Sequence, residues 1–321
     1  MGHIAKPTRI FYVSDLHGSE RCFRKFVNAG KVYQAQVLLI GGDIAGKTIT
    51  PLWPENGGWT GLYIGSRRWV QTETDLVKFE EDLRAIGTIP YRTTPQEWGT
   101  ISEDRKRADA LFRTLSLDVL RGWLRVAEAR LKGTGIRTLI GLGNDDLDEM
   151  EGVLAASDYV ELTDGRLLHL DDSHELLTIP YSNITPWHTN RELTEPQITE
   201  RIREAASKLE HPERAVFNIH VPPMGTQLDL APHLTADLTK VMGPGGEPEM
   251  VHVGSSAVRT AIEQLQPLLG LHGHIHESKG FSEVGRTLCV NPGSVYSEGV
   301  LQGLIVELEP QRVRSHVLTT G

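Results

Sequence analysis

The sequence predicts an α/β fold, because buried-strand patterns alternate with helix patterns along most of its 321 residues. Val37–Ile40 is a run of four apolar residues followed by a glycine pair, which is typical of a strand covered on both faces. Arg9–Val13 and Arg137–Leu142 are similar runs that end in polar residues and glycine. We predict a single domain over residues 1–321, with an insertion at about 48–135.

The first part of the chain predicts a β-α-β unit. After the strand at Arg9–Val13, Ser19 can cap a helix whose apolar residues recur at helical spacing. The next strand ends just before Asp43. Such a unit has a right-handed crossover and parallel strands, so Asp15, His17 and Asp43 should meet at one edge of the sheet.

Residues 48–135 interrupt this alternation and predict the insertion. Thr48–Gly65 is rich in proline, glycine and tryptophan, so we expect an irregular loop there. Two helices should follow, the second over about 103–132, where leucines recur along one face. We therefore expect a mostly helical insertion that packs over the sheet edge as a lid, a homo-oligomer surface or additional scaffold.

The alternation resumes after the insertion. Strands are expected at Arg137–Leu142, Arg166–Leu170, Glu175–Ile179, Ala215–Ile219, Leu268–Leu271, Thr287–Val290, Leu304–Leu308 and Val313–Leu318. Helices are expected to about Ala156, from Thr194 to about Leu209, and over Ser255–Gln266. Thr194 and Gln197 provide a capping box for the second of these helices. Tyr181–Glu192 and Met224–Val251 are expected to be loops.

Composition and charge narrow the classes of function. The net charge of −9, from 33 basic and 42 acidic residues, argues against a general binder of nucleic acid or anionic membranes. Trp53, Trp59, Arg67, Arg68 and Trp69 in the insertion nevertheless leave a nucleic-acid partner open. No apolar run has the length of a membrane span, and residues 1–8 lack the apolar core of a signal peptide. We expect a cytoplasmic protein without a membrane partner.

Side chains with metal-ligand chemistry follow the predicted strands. They are Asp15, His17, Asp43, Asn144, His220, His274 and His276. A single histidine after a strand is more often structural than a ligand, but here every member follows a buried strand beside a glycine or proline. Oxygen and imidazole ligands without thiolate suit Mn, Fe, Co, Ni or Zn better than Ca. Seven ligands are too many for one ion, so we expect two divalent metal ions, about 3.5–4 Å apart.

These segments resemble the ordered blocks of the calcineurin-like metallophosphoesterase family. The blocks are Asp15-Leu16-His17, Gly42-Asp43, Gly143-Asn144, His220 and Gly273-His274-Ile275-His276, and Asn291-Pro292-Gly293-Ser294 resembles the prokaryotic phosphodiesterase branch. The resemblance implies a four-layer α/β/β/α sandwich with two metals. Asp15, His17, Asp43 and His276 would hold one metal, and Asp43 would bridge to a second held by Asn144, His220 and His274. It also implies phosphoester hydrolysis with a metal-bridging hydroxide as the nucleophile.

One position departs from the family pattern. Asp145 stands where the third block usually has a histidine that stabilises the transition state or protonates the leaving group. A carboxylate cannot supply the cationic donor that an imidazolium supplies. We therefore expect weakened chemistry on poor leaving groups, or a histidine from elsewhere in this role. The candidates are His188 and His252 in loops, whereas His272 is expected behind the ligands.

The expected function is hydrolysis of a phosphoester substrate. A diester is favoured over a monoester, because no cluster of arginine and lysine is present to bind a dianion. Asn144 and Asp145 are the candidate catalytic residues, and Arg191 and His188 are the candidate substrate-binding residues. Two alternatives stay open: a metal-binding module that has lost turnover and acts as a protein-interaction or regulatory scaffold, and a metal-dependent nuclease.

Overall fold

A computed structural model describes residues 7–321 of the chain. Its strands are β1 (Thr8–Val13), β2 (Val37–Ile40), β3 (Thr48–Glu55), β4 (Gly58–Tyr63), β5 (Ser66–Val70), β6 (Thr88–Arg92), β7 (Arg137–Ile140), β8 (Val160–Leu162), β9 (Leu167–His169), β10 (Glu175–Ile179), β11 (Ser182–Asn183), β12 (Glu192–Leu193), β13 (Val216–Ile219), β14 (Leu230–Pro232), β15 (Met250–His252), β16 (Leu269–Leu271), β17 (Gly280–Val284), β18 (Thr287–Asn291), β19 (Gln302–Glu309) and β20 (Arg312–Thr320). Its α-helices are α1 (Glu20–Val32), α2 (Glu73–Ala85), α3 (Pro95–Glu103), α4 (Arg105–Leu131), α5 (Glu149–Ala155), α6 (Glu195–Ala206) and α7 (Ser256–Leu265). The signal-peptide prediction concerns residues 1–8, of which 1–6 lie outside the described residues.

Two six-stranded sheets form the centre of the fold. The first has the strand order β20-β19-β1-β2-β7-β8, and β1, β2, β7 and β8 run parallel. The second has the order β17-β18-β16-β13-β10-β9, and β18, β16, β13 and β10 run parallel. Because parallel strands end at the same edge, the loops that follow them in each sheet are neighbours.

Alternation along the strands divides the apolar residues among three cores. In β1, Ile10 and Tyr12 pack in the core between the two sheets, whereas Phe11 and Val13 pack against helices α1, α4 and α5. On the outer face of the second sheet, Phe217 packs with residues of α6 and α7. The order of layers is therefore α/β/β/α, which confirms the predicted fold class.

The insertion contains more sheet than we expected. The segment predicted as an irregular loop, Thr48–Gly65, instead forms β3 and β4 of a four-stranded sheet with the order β5-β4-β3-β6. Pro51 lies where β3 pairs with β6, and Pro54 lies where β3 pairs with β4. In β4, a side chain on Gly61 would collide with Leu52 of β3. The prolines and glycines that predicted a loop are thus accommodated by this sheet, and the prediction of an irregular loop was wrong. The insertion is still mostly helical, because α2, α3 and α4 contain more of its residues than the four strands do.

The helices of the insertion cover this sheet and the first central sheet. The prediction of a helix at about 103–132 is confirmed as α4, which Asp104 caps through its contact with the backbone N–H of Lys106 at 3.0 Å. Phe23 of α1 and Trp123 of α4 stack with ring centroids 4.3 Å apart. Two further helices, α2 and α3, precede α4, so the insertion has three helices in the described chain instead of two.

Outside the insertion the predicted strands and helices are confirmed to within a few residues. The patterns missed β8 and β17, and they missed the β14–β15 pair inside Met224–Val251 and the short β11–β12 pair inside Tyr181–Glu192. Each of these elements has five residues or fewer. Across residues 7–321, every helix falls short of the length or the apolarity that a membrane crossing requires.

Candidate metal centre

The loops after five parallel strands converge at one end of the sandwich. The first sheet supplies Asp15 and His17 after β1, Asp43 after β2, and Asn144 after β7. The second sheet supplies His220 after β13, and His274 and His276 after β16. The structure therefore brings together all seven residues that the sequence selected.

Hydrogen bonds between backbones join the first two loops. The N–H of Asp15 donates to the carbonyl of Gly42 at 3.0 Å, and the N–H of His17 donates to the carbonyl of Asp43 at 2.9 Å. In the second sheet, the N–H of Gly273 donates to the carbonyl of His220 at 2.9 Å. These hydrogen bonds thus fix the loops that carry the side chains relative to one another.

Four of the seven residues have a left-handed backbone. The φ angles are 59° at Asp15, 40° at His17, 53° at Asp43 and 66° at His274. A residue with a Cβ seldom adopts this conformation, which costs roughly 1–3 kcal/mol and is found most often at functional sites. The fold accommodates these left-handed residues at the turns that direct their side chains toward a common point.

One group of ligand atoms surrounds the ring of His17. His17 Nε2 lies 3.0 Å from His276 Nε2 and 4.0 Å from Asp15 Oδ1. His276 Nε2 is 3.4 Å from the same oxygen of Asp15. Asp15, His17 and His276 thus offer three ligand atoms within 4.8 Å of one another, which is enough for an ion.

A second group shares the carboxylates and adds His220. His220 Nε2 lies 3.4 Å from Asp43 Oδ2 and 3.9 Å from Asp15 Oδ1. Asp43 Oδ2 is also 3.6 Å from His17 Nε2, so it stands between the two groups. This is the position that the resemblance assigns to a bridging ligand.

Asn144 and His274 adjoin the second group. His274 Nδ1 lies 2.7 Å from Asn144 Oδ1, and the His274 backbone N–H donates to Asp15 Oδ1 at 3.1 Å. The amide nitrogen of Asn144 donates to Thr189 Oγ1 at 2.8 Å, which turns the amide oxygen toward His274. The rings of His220 and His274 have centroids 5.5 Å apart.

The residues present fit a metal site. His220 Nε2 is a buried nitrogen without a hydrogen-bond partner within the described chain. A buried polar atom in that state costs free energy unless it has a ligand. Gly42 and Gly143 border the site, and a Cβ on either would strike His220 or Asp43. The donors are carboxylate, amide and imidazole, which suit first-row divalent ions.

The pKa values of His17 and His274 agree with this fit, whereas, against the effect of burial, neighbouring carboxylates raise the pKa of His276. Burial lowers the pKa of His17 to about 3 and that of His274 to about 4, so both rings are neutral, as ligation requires. Burial acts in the same direction on His220, but the carboxylates of Asp43 and Asp15 raise its pKa to about 9. Against the effect of burial, His220 and His17 hold the pKa of Asp43 well below its usual range.

Asp145 lies beside the ligands. Its backbone N–H donates to Asp43 Oδ1 at 2.9 Å, and its Oδ2 faces Lys47 Nζ at 2.7 Å and His17 Nδ1 at 3.9 Å. Burial and the charge of Asp43 raise the pKa of the Asp145 carboxyl. The sequence reasoning did not select Lys47, although it stands only four residues after Asp43.

Asp146 is a second residue that the sequence reasoning missed. Its buried carboxylate accepts hydrogen bonds from the backbone N–H groups of Ile44, Ala45 and Gly143, at 2.7–2.9 Å for the shortest contact with each. It therefore ties the loop that carries Asp43 to the loop that carries Asn144. Its position directly after Asp145 in the third block was the available signal.

The predicted role of Arg191 in binding substrate does not agree with its position. Its side chain is 2% exposed and pairs with Asp164 at 3.3 Å, Asp148 at 3.4 Å and Glu151. A guanidinium that three carboxylates surround has no face left for a substrate. Its backbone N–H does donate to the Asn144 carbonyl at 3.1 Å, so Arg191 supports the site from behind.

The three candidate histidines have different surroundings. His188 is exposed, and it precedes Thr189, which contacts Asn144. His252 lies at the end of β15 instead of in a loop, and its Nδ1 is 2.8 Å from Asp229 Oδ1. His272 is buried with Nδ1 2.8 Å from the carbonyl of Ile219, behind the ligands as expected. His188 thus stays a candidate substrate-binding residue by location.

The cluster around Arg191 gives a testable dependence of stability on pH. Burial raises the pKa of Asp164 to about 7, against the opposing charge of Arg191. Between about pH 4 and 7 the unfolded chain is ionised at this carboxyl while the folded chain keeps its proton, so stability should fall as pH rises. Across this range the free energy of unfolding should fall more in the wild type than in Asp164→Asn. We expect the difference between the two falls to be at most about 4 kcal/mol. Urea unfolding of the metal-free proteins across this range measures the difference, and equal slopes would contradict it.

Comparisons with known proteins agree with the fold. No family model matches the chain. An uncharacterized protein of Methanocaldococcus jannaschii is 32% identical over 114 residues, which span 35% of this chain and 44% of that relative. The structure of TT1561 from Thermus thermophilus aligns with 98% of this chain and 99% of its own, at 13% identity and a TM-score of 0.52. Another solved structure aligns over the same shares at 15% identity and a TM-score of 0.57. Likeness at these identities concerns the fold alone.

Proposed function

We propose that this protein is a metal-dependent phosphoesterase that hydrolyses a phosphodiester with two divalent ions. The observation that carries the proposal is the position of Asp43 between two groups of ligand atoms, 3.6 Å from His17 Nε2 and 3.4 Å from His220 Nε2. A single ion would not require ligands on both sides of one carboxylate. Such a pair of sites suits in-line displacement at phosphorus.

The ligands divide between the two ions as follows. Asp15, His17, Asp43 and His276 would hold the first ion, and Asp43, Asn144, His220 and His274 would hold the second. When bound, the ions would polarise a phosphoryl oxygen and lower the pKa of a water molecule toward neutrality. Mn, Fe, Co, Ni and Zn are all compatible with this donor set.

The side chains of this protein orient the substrate and set the charge around it. Asn144 is held by Thr189 on one side and by His274 on the other, so its amide has one fixed orientation at the site. Asp145 covers Asp43 through its backbone N–H. Exposed His188 lies on the loop that borders Asn144, where it can contact the part of a substrate that leaves the site.

A diester is the favoured substrate class. A monoester dianion needs several cations at the site, and the side chain of Arg191 is withdrawn into its own carboxylate cluster. The two arginines of the insertion that the sequence offered for nucleic acid are also paired with carboxylates: Arg68 with Asp82 at 2.7 Å, and Arg67 with Glu55. We therefore do not propose a nuclease.

Metal analysis together with a turnover assay tests the proposal. Protein purified without chelator should contain about two first-row ions per chain, and it should hydrolyse bis(para-nitrophenyl) phosphate after loading with Mn. Loading with each of the five metals separately guards against a wrong choice of ion. If the protein binds two ions but shows no turnover with any of the five metals, the result would favour a binding or regulatory module over an enzyme. Failure to bind metal would refute both.

A further inference from the structure

Lys47 stands beside the candidate ligands. Its Nζ lies 2.7 Å from Asp145 Oδ2, and the same oxygen is 3.9 Å from His17 Nδ1. The side chain of Lys47 is 43% exposed, whereas that of Asp145 is 18% exposed. Lys47 is therefore a cation next to the candidate ligands that an anion from solvent can contact.

No other lysine or arginine in residues 7–321 forms an ion pair with Asp15, Asp43 or Asp145. The site is otherwise rich in acidic groups, and Arg191 is sequestered by its own partners. A phosphodiester carries one negative charge, which a single fixed cation can complement. Lys47 supplies that charge without relying on protonation of a histidine.

The insertion fixes the backbone that carries this lysine. Lys47 directly precedes β3, whose first residue, Thr48, pairs with Thr88 of β6, with the two hydroxyl oxygens 3.3 Å apart. A Cβ on Gly46 would lie 2.9 Å from the carbonyl of Gly87, and a Cβ on Gly87 would strike the carbonyl of His17. The turn at Gly87 is thus packed tightly against the loops of the site.

Building on the proposed function, we propose that Lys47 contacts the non-bridging phosphoryl oxygens of the bound phosphodiester and that Asp145 positions its ammonium group. The pairing at 2.7 Å with Asp145 leaves two ammonium hydrogens free to reach an oxygen anion. Negative charge grows on these oxygens in the transition state, so a fixed cation lowers the barrier more than it strengthens ground-state binding. This arrangement gives the site the cation that Asp145 itself cannot provide.

Three variants of metal-loaded full-length protein test the contact. Lys47→Met removes the charge and keeps the length, and Lys47→Arg keeps the charge. Lys132→Met is the matched control, because Lys132 is 56% exposed and pairs with a single carboxylate, Glu128, at 2.6 Å. The readouts are kcat and KM for bis(para-nitrophenyl) phosphate, the affinity for inorganic phosphate by calorimetry, and metal content.

We expect Lys47→Met to lower kcat/KM by about 100-fold, mainly through kcat, and to weaken phosphate binding while metal content stays at the wild-type level. Lys47→Arg should stay within about tenfold of the wild type, and Lys132→Met within about twofold. If the wild type turns over and Lys47→Met stays within about threefold, the contact is refuted while the phosphoesterase stands. If the wild type does not turn over, weaker phosphate binding in Lys47→Met alone still supports the contact, and unchanged binding refutes it.

The role of Asp145 has its own test. Asp145→Asn should lower kcat/KM, mainly through kcat, and weaken phosphate binding in the wild-type background, because the ammonium loses its anchor. In the Lys47→Met background the same change should have little further effect, since there is no ammonium left to position. Additive effects of the two substitutions would show that Asp145 acts independently of Lys47.

Discussion

Asp43→Asn is expected to lower metal-dependent kcat/KM on the order of 10³-fold or more and to reduce the bound metal from two ions to one or none. The carboxylate of Asp43 approaches both His17 and His220 more closely than that of Asp15 does, and an amide oxygen carries no charge to share between two cations. The asparagine oxygen can still accept the hydrogen bond from the backbone of Asp145, so the loop should keep its shape. Turnover with Mn and elemental analysis measure the two effects.

The control for this substitution removes a carboxylate far from the site. Asp118→Asn breaks an exposed pair with Arg121 at 2.8 Å, and it should leave both metal content and kcat/KM within about twofold. Circular dichroism establishes that Asp43→Asn is folded. A folded Asp43→Asn protein that retains two ions and wild-type turnover would remove Asp43 from the site.

Gly42→Ala is expected to destabilise the protein by about 3 kcal/mol and to impair metal binding. Gly42 has φ 134°, which a residue with a Cβ rarely adopts, and its Cβ would lie 2.6 Å from His220 Nδ1 and 2.8 Å from the Cα of Gly143. Because the neighbours include backbone and a buried ring, nothing flexible can move aside. The strain should displace His220 from Asp43. Urea unfolding of the metal-free protein and titration with Mn measure the two effects.

Gly65→Ala is the control that introduces backbone strain without a steric collision. Gly65 has φ 73°, and no atom lies within 4 Å of its hypothetical Cβ. This variant should lose only about 1 kcal/mol and should bind metal as the wild type does. If both alanine variants lose the same stability and bind metal equally well, tight packing at Gly42 does not shape the site.

The sequence identified the seven residues that meet at one end of the sandwich because each of them follows a buried strand, which a short segment of sequence reveals. A buried strand such as Val37–Ile40 is visible as an apolar run, and parallel strands deliver their following residues to one edge. The four layers followed from the resemblance of the blocks, and alternation within β1 shows how one strand serves two cores. These features depend on short segments and on topology.

The errors concern features that tertiary contacts decide. Pro51 and Pro54 signalled a loop, but β3 uses one part of its length for each neighbour, so neither proline disrupts the sheet. Arg191 resembled a substrate-binding residue until Asp164 and Glu151, distant in sequence, proved to surround it. The pair of Lys47 and Asp145 joins residues about one hundred positions apart, which no spacing pattern reports.

The two sheets contribute side chains to the candidate centre from opposite sides, so the centre links the two sheets at this end of the sandwich. His220 and His276 reach from one sheet to Asp43 and Asp15 of the other, so the sheets cannot splay at this end without separating the cluster. Any ligand that binds the folded protein at this centre stabilises both sheets together, by an amount that grows with the logarithm of its concentration above its Kd. Melting temperature followed against added Mn or phosphate therefore reports binding, which allows ligands to be screened before a substrate is identified.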